Sequence, residues 1–249
     1  MRLIKLTKWL TPAVIGLGLM AVAFPSMGIE PRQPDYLILG GELGNSSASS
    51  KEDIQSIFPR LSEMELNTVL MPVYWELVEP TEGFFDFSLL DEALSTARQN
   101  DLRLVLLWFG AWKNSMSCYA PEWVKTDVNR FPRAVTAEGK PLEILSAFSD
   151  NVLNADLKAF NAMLEHLKYV DPEGTVSMIQ IENEIGMLES PRDHSPLADR
   201  EYAKGVPAEL ASILGVTPRV QWKDVVPELD YADEMFMAWN YAVYVEKLA

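Results

Sequence analysis

Between residues 36 and 184 a short, nearly unbroken apolar run recurs, and each run is followed by a segment whose apolar residues repeat at helical spacing. The runs are "YLILGGEL" (36–43), "NTVLMPVYW" (67–75), "LRLVLLWFG" (102–110) and "TVSMIQIENE" (175–184). Runs of this length and β-branched content predict strands buried on both faces, which is the pattern of a parallel sheet covered by helices. After the first run, Ser49 with Glu52 three residues on predicts a capped helix that Pro59 should kink. Residues 87–100 place Leu89, Leu90, Ala93, Leu94 and Ala97 on one helical face, and 151–170 and the final "ADEMFMAWNYAVYVEKLA" read as two further helices.

Both doubly wound sheets and the eight-stranded barrel satisfy this alternation. No strand is followed by a Gly-rich phosphate turn: "LGGELGNSS" lacks the spacing, which disfavours nucleotide binding. In a barrel, chemistry gathers at the carboxyl ends of the strands. Here those ends carry Glu42, Asn45, Trp75, Glu76, Trp108, Trp112, Asn183 and Glu184, a set of carboxylates, amides and indoles suited to sugar rings, which have apolar faces and hydroxyl rims.

The charge narrows the partners. A formal net charge of −15 repels nucleic acid and anionic lipid and favours a neutral or cationic ligand. Cys118 is the single cysteine and His166 and His194 the two histidines, so neither a disulfide nor a Cys/His metal site is expected, and no cofactor is implied. Arg2, Lys5 and Lys8 precede an uncharged stretch from Trp9 to Ile29 that contains "AVA" at 21–23. This reads as an export signal over 1–23, followed by a linker over 24–35 and a folded region over 36–249; an uncleaved anchor is the rival reading. The protein is accordingly expected in the periplasm or outside the cell, without a stable membrane partner once the signal is removed.

The segment "IQIENEIG" resembles the fourth-strand motif of clan A glycoside hydrolases, especially the β-galactosidase-like families 35 and 42. "MPVYWELVEPTEGFFDFSLLD" is similar to their second-strand segment, where an aromatic strand end leads through Glu-Pro and Gly to Phe-Asp-Phe. With "LILGGEL" and "LVLLWFGAW" the resemblance extends over residues 36–248. It implies a (β/α)8 TIM barrel of which about the first four β/α units are present, with Glu184 as general acid/base and Asn183 holding the sugar 2-hydroxyl. Expelling an alkoxide needs a proton donor, and partial burial beside another carboxylate is the usual means of keeping one protonated. Glu184 is therefore expected to be partly buried. Glu182 could share the site face by the period of two or salt-bridge to a neighbouring strand. Trp75, Trp108 and Trp112 are candidates for stacking on sugar, and Glu42 and Asn45 for binding hydroxyls. The loop "AWKNSMSCYAPEWV" (111–124) departs from the Cys-Ala-Glu stretch of family 35, which leaves the sugar open.

A retaining enzyme of this clan needs a second carboxylate, roughly 5 Å from the first. Glu189, Glu201, Glu209, Glu228, Glu234 and Glu246 all follow Glu184 without an apolar strand leading into them. The expectation is thus the N-terminal half of a β-galactosidase-like barrel whose nucleophile lies beyond this chain. The alternative is a carbohydrate-binding remnant without turnover. Open sheet edges make self-association an expectation of either.

Overall fold

A computed structural model of the chain describes residues 36–225 and 231–249. The signal expected over 1–23 and the linker over 24–35 lie outside the described residues. Strand β1 (Gly40–Glu42) leads to helix α1 (Lys51–Glu63), β2 (Thr68–Tyr74), a single turn α2 (Trp75–Val78), α3 (Ser88–Gln99) and β3 (Arg103–Lys113). Then come a short α4 (Glu122–Thr126), β4 (Arg133–Val135), β5 (Pro141–Leu145), the long α5 (Asp150–Val170) and β6 (Val176–Asn183). Helices α6 (Pro196–Tyr202), α7 (Ala208–Leu214) and α8 (Ala232–Leu248) follow.

The strands β1, β2, β3 and β6 form one sheet in that order, and every pairing is parallel. Their carboxyl ends therefore share one edge. The unbroken apolar character of β3 has a direct cause: Leu104, Leu106 and Trp108 enter the main core under the helices, while Val105, Leu107 and Phe109 join Tyr74 in a second cluster on the other face. Pro72 is tolerated inside β2 because β1 has already ended opposite Leu70, leaving Pro72 with a neighbouring strand only on the β3 side.

Two local expectations are corrected. Helix α1 is capped by Ser50, not Ser49: the Ser50 hydroxyl accepts from the Asp53 N–H at 3.1 Å and donates to its Oδ2 at 2.7 Å. Pro59 lies inside the helix. The stretch between β3 and α5, read as loop, contains α4 and the antiparallel β4–β5 pair. Strands of three and five residues are too short to show a period. A polar hub pins this pair instead. The fully buried Asp193 carboxylate accepts from Val135 N–H at 3.0 Å, Ser195 N–H at 2.7 Å and Ser146 Oγ at 2.5 Å.

Candidate active site

At the end of β6 the backbone leaves extended geometry. Glu182 and Glu184 have φ of +58° and +49°, and across from them Asn114 and Ser115 have +53° and +58°. Left-handed conformations cost non-glycine residues on the order of 1–3 kcal/mol each and persist where the surroundings over-determine them. The register explains the crowding: Trp108 faces Ile181 but Lys113 faces Asn183, so β3 carries extra residues against a single residue of β6. This bulge re-aims the side chains around it.

The consequence is a separation of the two glutamates, which plain alternation would have placed on one face. Glu182 turns into the core. Its carboxyl accepts from the bulge N–H groups of Ala111 (3.0 Å) and Trp112 (2.8 Å) and lies against Asp156 of α5. Asp156 in turn accepts from Trp108 Nε1 at 2.8 Å and from the Tyr244 hydroxyl at 2.9 Å. Burial, and then the charge of the neighbouring Asp156, push the Glu182 carboxyl well above the usual range, and burial raises Asp156 as well. Two carboxyls in such contact favour holding a proton between them over both being charged. The Tyr244 hydroxyl is raised too, by burial and then by the same two acids.

Gly110 is required by this cluster. A Cβ there would stand 2.5 Å from Glu182 Oε1, 2.6 Å from Asp156 Oδ1 and closer still to Trp108 Nε1. Gly110→Ala should therefore cost about 1–3 kcal/mol by overpacking. Gly41→Ala, whose Cβ meets nothing within 4 Å, should stay within about 0.5 kcal/mol. Equal urea midpoints for the two variants would contradict the packing described.

Glu184 turns the other way. Its side chain is 61% exposed, which corrects the expectation of partial burial; the buried carboxyl is Glu182. Glu184 Oε2 lies 2.5 Å from Lys113 Nζ, and the Glu184 carbonyl accepts from Ser115 N–H at 3.0 Å. Beside it Asn183 is buried, and its Oδ1 has no hydrogen-bond partner. Buried amide oxygens are ordinarily bonded, so this acceptor, one residue from Glu184, is an unmet demand at the strand end.

The structure brings Glu184 and Asn183 together with Lys113, which sequence reasoning did not single out. Glu42 ends β1 exposed on the same sheet edge, and the Asn45 carbonyl accepts from the Tyr119 hydroxyl at 3.2 Å. The tryptophans are placed otherwise. Trp75, Trp108 and Trp112 are fully buried: Trp75 packs edge-on to Trp123, Trp108 against Phe160, and Trp112 against Tyr241 and Tyr244. The stacking role expected of them has no exposed ring face to act through. Their work is in the core, where each indole hides roughly 150–250 Å² and contributes at most about 5 kcal/mol.

A different aromatic group faces the site edge. Half-buried Tyr119 tilts against both Tyr74 and Phe109, with ring centroids 5.1 and 5.2 Å apart, and Lys113 Nζ stands 5.1 Å above the Phe109 ring. Among the described residues no group of three or more His, Cys, Asp or Glu stands together as a metal site.

A parallel sheet with outer helices, carrying an Asn-Glu pair where its fourth strand emerges, is the first half of a TIM barrel of the glycosidase kind. The glycoside hydrolase family 42 model, described as beta-galactosidase, matches residues 45–217, and the chain belongs to that family. Solved structures share the fold. The β-galactosidase from the psychrophilic Marinomonas ef1 aligns at TM-score 0.55 and 17% identity over 72% of this chain and 26% of its own. The β-galactosidase from the Antarctic haloarchaeon Halorubrum lacusprofundi gives 0.57 and 18% over 83% and 32%. A catalytic mutant of Gan42B, a GH42 β-galactosidase from G. stearothermophilus, gives 0.60 and 15% over 85% and 33%. The chain thus spans about a quarter to a third of the length of these structures. No curated protein matches it in sequence.

Proposed function

We propose that this member of family 42 hydrolyses O-glycosidic bonds of β-galactosides or related sugars by a retaining mechanism, with Glu184 as acid/base and Asn183 binding the sugar 2-hydroxyl. The observation that carries the reading is the pairing of a solvent-facing carboxylate with a buried, unpartnered amide oxygen at the carboxyl end of β6. In a retaining reaction the acid protonates the leaving oxygen while a second carboxylate bonds to the anomeric carbon; the same group then takes a proton from the water that releases the sugar. The second carboxylate is assigned to a part of the enzyme outside the described residues. Export follows from the basic and apolar stretch over residues 2–29.

The test is turnover of a panel of aryl β-glycosides by the full-length protein, with NMR of the anomeric proton of the first-formed sugar. Hydrolysis with retained configuration and a preference for the galactoside is the expected result. Inverted product would overturn the mechanism. Carbohydrate binding without turnover by any aryl glycoside would favour the remnant reading.

A further inference from the structure

Lys113 is the last residue of β3, and its side chain is 5% exposed although its partner Glu184 is 61% exposed. An ammonium group withdrawn from water to that degree forfeits several kcal/mol of hydration and needs an opposite charge to hold it. Among the described residues, Glu184 is the carboxylate within salt-bridge distance, at 2.5 Å. The remaining contacts of Nζ are Asn114 Oδ1 at 2.7 Å and the face of Phe109 at 5.1 Å. The backbone repeats the grip. Lys113 and Met116 exchange N–H···O bonds at 2.8 and 3.0 Å, and the Ser115 N–H inside that turn reaches the Glu184 carbonyl at 3.0 Å. Side chain and main chain of residues 113–116 together fix both ends of Glu184.

We propose that Lys113 is a positioning residue for Glu184, holding its carboxylate at the end of β6 for the hydrolytic half of the reaction. The inference rests on the glycosidase reading above. In the first half, the Glu184 proton passes to the leaving oxygen as the glycosidic C–O bond breaks and the nucleophile's oxygen bonds to the anomeric carbon. In the second half, a water oxygen bonds to the anomeric carbon, its proton passes to the Glu184 carboxylate, and the glycosyl ester bond breaks. With an activated leaving group the first half needs no proton from Glu184, whereas the second half still needs its carboxylate held where the water enters. Loss of Lys113 therefore falls on the two halves unequally for such a substrate.

The variant is Lys113→Met, which keeps an apolar stem against Phe109 and removes the charge. With an activated aryl β-galactoside, the full-length variant should keep its burst while its steady rate falls at least about tenfold, part of the ~10²–10⁴ that base assistance provides. Added azide, which needs no base, should restore turnover. Burst and steady rate falling in the same proportion, or neither changing, would overturn the proposal. A second readout does not depend on turnover. ¹⁵N spectra of the lysine ammonium groups should contain one signal that is absent in Lys113→Met and displaced in Glu184→Gln. If wild-type protein turns over no aryl glycoside, the glycosidase reading fails by itself. The ammonium signal still decides whether Lys113 holds Glu184, and an undisplaced signal in Glu184→Gln refutes that hold.

Discussion

Glu184→Gln is expected to reduce turnover of glycosides with poor leaving groups, such as sugar alcohols, by ~10² to 10⁴, the usual worth of general acid assistance. The expectation follows from placement as well as motif. The Glu184 carboxyl faces solvent at the sheet edge, one residue from the unpartnered Asn183 Oδ1, whereas the nearby Glu182 is buried and bonded to backbone N–H groups. With an activated aryl galactoside, whose phenolate departs without a proton, the first step should survive and the glycosyl-enzyme should accumulate. Its hydrolysis still needs the missing base. Azide should then release it. Burst and steady rates across a leaving-group series decide the matter: equal losses for good and poor leaving groups, with no response to azide, would give the strand end a structural role only.

How far the sequence made this legible depends on the scale of the signal. The strands of the parallel sheet stand out as apolar runs, and three of the four have observed limits inside the runs, as with Thr68–Tyr74 within 67–75, while β3 continues past 102–110 to Lys113. The first strand contracts most, from 36–43 to Gly40–Glu42, since its pairing with β2 spans only Gly40 to Glu42. The motif singled out Asn183 and Glu184 as candidates, but which glutamate faces solvent was not legible. That depends on two left-handed residues and a bulge, and a period of two contains neither. The tryptophans sit at strand ends in sequence and in the core in space, because Trp112 is covered by α8, a helix that begins more than a hundred residues later.

Two missed residues did leave traces. Asp156 falls on the buried stripe of α5 with Val152, Leu153, Ala159, Phe160 and Met163, so an acid at that phase of the helix already demanded a partner. Lys113 closes an eleven-residue strand that is otherwise buried apart from its first residue, and the same argument applies to its charge.

The Asp156 partnership has a consequence for stability. Glutamate and aspartate in the unfolded chain lose their protons near ~4.3 and ~3.9, while the folded pair keeps its shared proton to higher pH because both carboxyls are raised. Above that range the folded protein binds more protons than the unfolded one. Stability is therefore fully present on the acid side and falls as pH rises, by up to about 1.4 kcal/mol per pH unit for one proton, until the folded pair releases it. General repulsion in a chain of net charge −15 has the same sign, so a variant must separate the two. Glu182→Gln replaces the titrating proton with a permanent amide hydrogen toward Asp156. Its nitrogen cannot accept from one of the two bulge N–H groups, a loss of about 1–3 kcal/mol. Urea unfolding at pH 5, 7 and 9 should show the variant less stable than wild type at pH 5, with the gap closing as pH rises because its own slope is shallower. Parallel curves would mean that Glu182 and Asp156 share no proton in the folded protein and that the slope belongs to surface charge alone.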